Sequence, residues 1–233
     1  MPYLSRDQIE QMAETVLCRY RAECLPQKKL CYRVDPTELA EMLGFSVDYH
    51  HLTKNGSVLG MTASVPMWAS ICDDGGSRIF YELDGHTLLI EKRLLLPNLT
   101  GRRHFTIAHE LAHQIINRSF PGEFCADNRI CCDYRRSTPC RKVSNWHEWQ
   151  ADALASSLLL PQDAVLDAMF IYGLGEHIKV LSRKYSEYRY LRFCEMAEFL
   201  QVSRTALAFR MEQLGLLERN LLIQEAMQRK GAA

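Results

Sequence analysis

The sequence predicts an α+β fold, with a helix first, a small antiparallel sheet next, and helices from there to the end. Three observations carry this. Ile9, Met12, Ala13, Val16 and Leu17 recur at helical spacing between about Arg6 and Arg21. Alternating or β-rich stretches then cluster between Phe45 and Lys92, with glycine-marked turns among them. From Thr100 onward the pattern is helical again.

The elements follow in order. Asp35 is suited to cap a short helix that has Pro36 at its first position, covers "PTELAEML" and stops at Gly44. "FSVDYHHL" alternates like a strand. The segment from Gly56 to Gly76 is a weaker signal, for one or two strands. "RIFYEL" and "HTLLIEK" flank Asp84-Gly85, a pairing that predicts a tight hairpin. A helix is expected from about Arg102 to Asn117. Residues from Cys125 to Lys142 read as irregular, basic and cysteine-rich. The next helix starts after Ser144 as N-cap and ends at Leu160, before Pro161, and a further helix runs toward Phe170 until Gly173 and Gly175 break it. The last 50 or so residues read as helices throughout. The expected organisation is one domain over 1–175, with a cysteine-rich insert at 119–143, and an all-helical region over 176–233.

Bulk composition narrows the function. Lys+Arg and Asp+Glu are both 28, so the formal net charge is zero and there is no overall electrostatic case for nucleic-acid or membrane binding. The N-terminus has no apolar stretch after a basic start, and no apolar run approaches the roughly 18 residues of a membrane span. Nine cysteines, an odd number without an export signal, suit a reducing, cytoplasmic setting.

The chemistry concentrates in "FTIAHELAHQIINR". His109 and His113 are four residues apart, which puts both imidazoles on one helix face, one turn apart. Two imidazoles so placed can share a zinc ion. Glu110 points about 100° around the helix and can reach a water at the metal without binding the metal. Ile107, Ala108, Leu111, Ala112, Ile115 and Ile116 mark the helix as buried, and an unpaired buried polar group costs about 1–3 kcal/mol. Metal coordination accounts for three polar groups there at once. A catalytic zinc needs a third protein ligand. The helix "NWHEWQADALASSLLLP" offers Glu148, with Asp152 on the same face to accept a ligand histidine's N–H, and His147 as a rival ligand. The same ligand types also hold manganese or iron.

"RRHFTIAHELAHQ" followed by "EWQADALASSLLLP" resembles the ImmA/IrrE family of metallo-endopeptidases, closely over Thr87 to Pro161 and loosely beyond. The chain has Leu154 where members commonly carry Phe, and Ala112 where they often carry Gly. The resemblance implies a zincin-like domain with zinc on His109, His113 and Glu148, and Glu110 as the catalytic carboxylate. It also implies a protein substrate, a helix-turn-helix transcriptional repressor. In such folds an edge strand pairs with an extended substrate, and "HTLLIEK" is the strand expected to do so. An added oxyanion donor is expected, for which Tyr172, His177 and Tyr185 are chemically able.

Two segments stay open. Cys125, Cys131, Cys132 and Cys140 are spaced unlike a zinc ribbon or finger, and they can be ordinary loop and core cysteines, a second metal site or a redox switch. "CEMAEFLQVSRTALAFRMEQLGLL" resembles a helix-turn-helix, with Ser203 as N-cap of its second helix. A DNA-reading helix there would present Arg204, Thr205, Arg210 and Gln213. Its near-neutral charge favours packing within the protein over direct DNA binding. The alternative function is a DNA-binding or protein-binding regulator with a structural or sensory zinc and no proteolysis.

Overall fold

The computed structural model describes residues 3–25, 33–121, 129–133 and 146–222, with 129–133 described as backbone. These residues form two compact units. The first takes in the N-terminal helix and residues 35–159. The second begins at Leu160, ahead of the boundary expected at 175.

In the first unit, α1 (Arg6–Cys24) starts with a capping box, Ser5 and Gln8 bonding each other's backbone. It buries Ile9, Ala13, Leu17 and Tyr20. The short α2 (Pro36–Met42) is capped by Asp35, whose carboxylate accepts from Thr37 N at 2.8 Å and Glu38 N at 3.3 Å. The strands β1 (Ser46–His50), β2 (Val58–Ala63), β3 (Met67–Cys72), β4 (Arg78–Leu83) and β5 (Thr87–Glu91) follow. A sixth strand, β6 (Arg129–Asp133), lies inside the insert that the sequence reads as irregular.

The main sheet has the order β1-β5-β2-β6. It is mixed rather than purely antiparallel, because β1 and β5 run parallel. The hairpin expected across Asp84-Gly85 does not form. β4 pairs with β3 in a separate ribbon, turned at Asp73–Ser77, where Ser77 N donates to Asp73 Oδ1 at 2.7 Å. Gly85 still turns the chain, at φ +82, but it passes from the ribbon into the sheet. The cause is burial. All five residues of β5 are buried, whereas β4 is largely exposed. A fully buried strand needs neighbours on both edges, and β1 and β2 supply them. For the same reason β5 is not an edge strand, and no extended peptide can add along it. Leu52, Met61, Ala63, Ala69, Ile71, Leu83 and Leu89 form the core shared by ribbon and sheet.

The 20-residue α3 (Thr100–Ser119) is buried at every position from Thr106 to Ile116, so it runs through the interior of the unit. It packs against β2 and β5 on one side and α4 (Trp146–Leu159) on the other. α4 is tied in turn to the N-terminal segment. Leu4 N donates to Gln150 Oε1 at 2.7 Å, and Ser157 Oγ donates to Glu10 Oε1 at 2.9 Å. The expected N-cap Ser144 lies outside the described residues.

The second unit holds α5 (Gln162–Ile171), β7 (Ile178–Leu181), α6 (Glu187–Phe199), α7 (Arg204–Gln213) and β8 (Leu217–Asn220). It is not all-helical, since β7 and β8 pair in parallel. Buried Ile178, Leu181 and Leu217 anchor these strands. Four residues are too few for an alternation to show in sequence. α6 and α7 are joined by a tight turn with Gln201 at φ 54, and Ser203 caps α7 as expected, accepting from Ala206 N at 3.1 Å. Arg204, Thr205 and Gln213 are exposed, but Arg210 is 2% exposed and donates from Nε to the Leu160 carbonyl at 2.9 Å. One of the four side chains expected to face DNA therefore points into the core.

Candidate metal centre and active site

Two stripes on α3 build the site. His109 and His113, one turn apart, face α4. Glu110 and Gln114, one residue further round, face β2. Gln114 Nε2 donates to Thr62 Oγ1 at 2.5 Å and to the Ala63 carbonyl at 2.7 Å, which locks the second stripe onto the strand. The 100° step between successive helical residues separates the two roles.

On the first stripe, His109 Nε2 and His113 Nε2 lie 3.0 Å apart. Glu148, from the first turn of α4, brings Oε2 to 3.4 Å from His109 Nε2 and Oε1 to 3.6 Å from His113 Nε2. The ligand atoms of His109, His113 and Glu148 all lie within 4.8 Å of one another. Around a tetrahedral ion with bonds of about 2.0–2.1 Å, neighbouring ligand atoms are roughly 3.3 Å apart, so this triangle has the right size for zinc. Asp152, one turn along α4 from Glu148, places Oδ1 3.0 Å from His109 Nδ1. With a metal bound, that contact would favour the proton on Nδ1 and leave the Nε2 lone pair for the triangle. His147 is half-buried on the same helix but is not part of the triangle.

Without a metal, the two histidines are driven apart in charge. Burial alone would push the metal-free His109 down, but Asp152 and Glu148 outweigh it and hold the imidazole up at about 10. Burial, with the neighbouring His109 and His147, pushes His113 well below its ordinary value. Two imidazoles one turn apart thus hold opposite protonation states, a pattern common at functional sites.

Glu110 is fully buried, and neither carboxylate oxygen has a hydrogen-bond partner among the described residues. His113 Nδ1 is likewise without one there, as is His109 Nδ1, whose 3.0 Å approach to Asp152 is a charge contact rather than an aligned hydrogen bond. Burial pushes the Glu110 carboxyl up to about 8; His109 opposes this and Glu148 adds to it. A dry, unpaired carboxylate beside a histidine–histidine–carboxylate triangle is poised to exchange protons. Its neighbour across the interface is Gly60 in β2, which no local sequence signal marked, since the contact spans the sheet.

Tyr172, His177 and Tyr185 all belong to the second unit. The Tyr172 ring sits beside Phe199 with Arg192 over it, His177 Nε2 is 3.6 Å from Glu218, and Tyr185 is exposed. Cys125 and Cys140 lie outside the described residues, and Cys131 and Cys132 are placed only as backbone in β6. Among the described residues no single helix is long and apolar enough to cross a membrane.

A family model described as the IrrE N-terminal-like domain, a peptidase family, matches residues 80–212. No individual curated protein matches the chain. The matched span is more than half of the sequence and contains α3, α4 and the whole histidine–histidine–glutamate triangle, and the chain belongs to the ImmA/IrrE family of metallopeptidases.

Proposed function

We propose that the protein is a cytoplasmic zinc endopeptidase that hydrolyses a peptide bond in a helix-turn-helix transcriptional repressor. The observation that carries this reading is the triangle of His109, His113 and Glu148 beside the buried, unpartnered carboxylate of Glu110. Zinc held by that triangle would supply Lewis acidity to water and to the scissile carbonyl. Glu110 takes the proton of the attacking water and returns it to the leaving amine. Asp152 keeps His109 in the tautomer that offers Nε2.

The repressor as substrate class rests on the family resemblance. The free thiols of Cys18, Cys72 and Cys194 support a reducing compartment. DNA stands outside the proposed function, because Arg210 is turned into the core and the formal net charge is zero. The test is co-expression with helix-turn-helix repressors encoded nearby, scored for cleavage by the wild type and by Glu110→Gln. The wild type should cut, and the variant should bind zinc but not cut. Substantial cleavage by Glu110→Gln would remove Glu110 from the chemistry.

A further inference from the structure

Gly60 sits in the middle of β2, where glycine weakens a strand by about 0.5–1 kcal/mol relative to alanine. Its backbone does not demand glycine, for Gly60 is absent from the residues with positive φ. What excludes a side chain is Glu110. A Cβ built on Gly60 would lie 2.7 Å from Glu110 Cγ and 2.8 Å from Cδ, and would also overlap Oε1.

Both partners are confined. Glu110 has no exposed surface, so moving its outer half means pushing against buried neighbours. Gly60 is paired with Ile90 of β5 on one side and with Cys132 of β6 on the other, where the register shifts between Val58 and Gly60. Gln114, one turn along α3, fastens the same helix stripe to Thr62 and Ala63.

We propose that Gly60 is a positioning residue for the hydrolysis, its missing side chain being the seat that lets the Glu110 carboxylate lie against β2 beside the metal triangle. The role rests on the endopeptidase reading for its catalytic part. The seat itself is a packing relation that can be measured without catalysis.

The experiment is a cycle of Gly60→Ala, Glu110→Ala and the double variant, with zinc content, thermal unfolding and cleavage kinetics for each. In the Glu110 background, Gly60→Ala should lower Tm by about 5 °C or more. In the Glu110→Ala background the same change should be neutral or stabilising, because the clash is gone. Zinc content should match the wild type, since the three atoms nearest the new methyl all belong to Glu110 and none to a ligand. kcat should fall about a hundredfold with KM within threefold, the size expected from displacing a reacting group by about an ångström. A merely structural defect would not produce that split.

Gly60→Ala/Glu110→Asp, whose shorter side chain withdraws from the new methyl, should be no slower than Glu110→Asp alone. Equal Tm changes in the two backgrounds would overturn the seat. So would a kcat within threefold of the wild type, or a multiplicative loss in the Asp double variant. If the wild type holds zinc but cuts no repressor, the endopeptidase reading fails, while the Tm cycle still decides the seat.

Discussion

Gln114→Leu removes the amide that joins α3 to β2 while nearly conserving volume. Gln114 is 3% exposed, and its Nε2 serves two acceptors, the Thr62 hydroxyl and the Ala63 carbonyl. Thr62 is itself 0% exposed, so water cannot replace the lost donor. A buried acceptor stranded in this way costs about 1–3 kcal/mol. The two acceptors do not count equally, because a hydroxyl can rotate toward another partner and a carbonyl cannot. The better apolar fit of Leu recovers part of the loss, leaving about 2 kcal/mol. Gln114→Ala adds lost methylenes and a cavity, for about 3–4 kcal/mol in all. The assay is urea unfolding followed by far-UV circular dichroism. With a slope near 2 kcal/mol/M, the Leu variant should shift the midpoint down by about 1 M without changing the slope. A Leu variant within about 0.5 kcal/mol of wild type would refute the reasoning, as would equal losses in the two variants.

Two further predictions concern titration. In the metal-free protein His109 is held at about 10 against an ordinary 6.5, so between those values the folded state binds more protons than the unfolded one. His109's contribution to stability is therefore fully present below pH 6.5 and is lost as pH rises toward 10. Asp152→Ala should flatten that fall in pH-dependent urea unfolding and lower the His109 midpoint seen by NMR; an unchanged midpoint would remove Asp152 as its partner. Separately, burial and then the bond to Asp48, 2.7 Å from the hydroxyl, raise Tyr81 to about 12. Asp48→Asn should bring this one tyrosine's ultraviolet titration down toward 10, and no movement would show that burial alone sets it.

The parts of the fold legible in the sequence were those fixed by local chemistry. Asp35 and Ser203 cap their helices because a short polar side chain reaches the first free N–H groups wherever it stands. His109 with His113, and Glu148 with Asp152, were legible because four residues make one turn. The failures have long-range causes. Asp84-Gly85 carries hairpin chemistry, but the apolar run Leu88-Leu89-Ile90 asks for burial on both faces, and burying it outweighs the local preference of the turn. β8, "LERN", carries no strand signal and is a strand only because Ile178 and Leu217 share a core. Gly60 looked like one weak-strand glycine among several, since its reason lies fifty positions away in Glu110.

The pairing of β6 with β2 has a consequence best expressed as a concentration. β6 runs antiparallel to β2 and sets Cys132 opposite Gly60, so it occupies the sheet edge beside Glu110. A strand tethered to its own partner competes at an effective concentration of about millimolar. A free extended peptide at about micromolar concentration meets a roughly thousandfold handicap for the same edge, equivalent to about 4 kcal/mol. A peptide that reaches Glu110 must bind β2 better than β6 by that margin or approach without pairing to β2 at all. Stray unfolded chains do not meet the first condition, so the β2 edge is closed to casual strand addition.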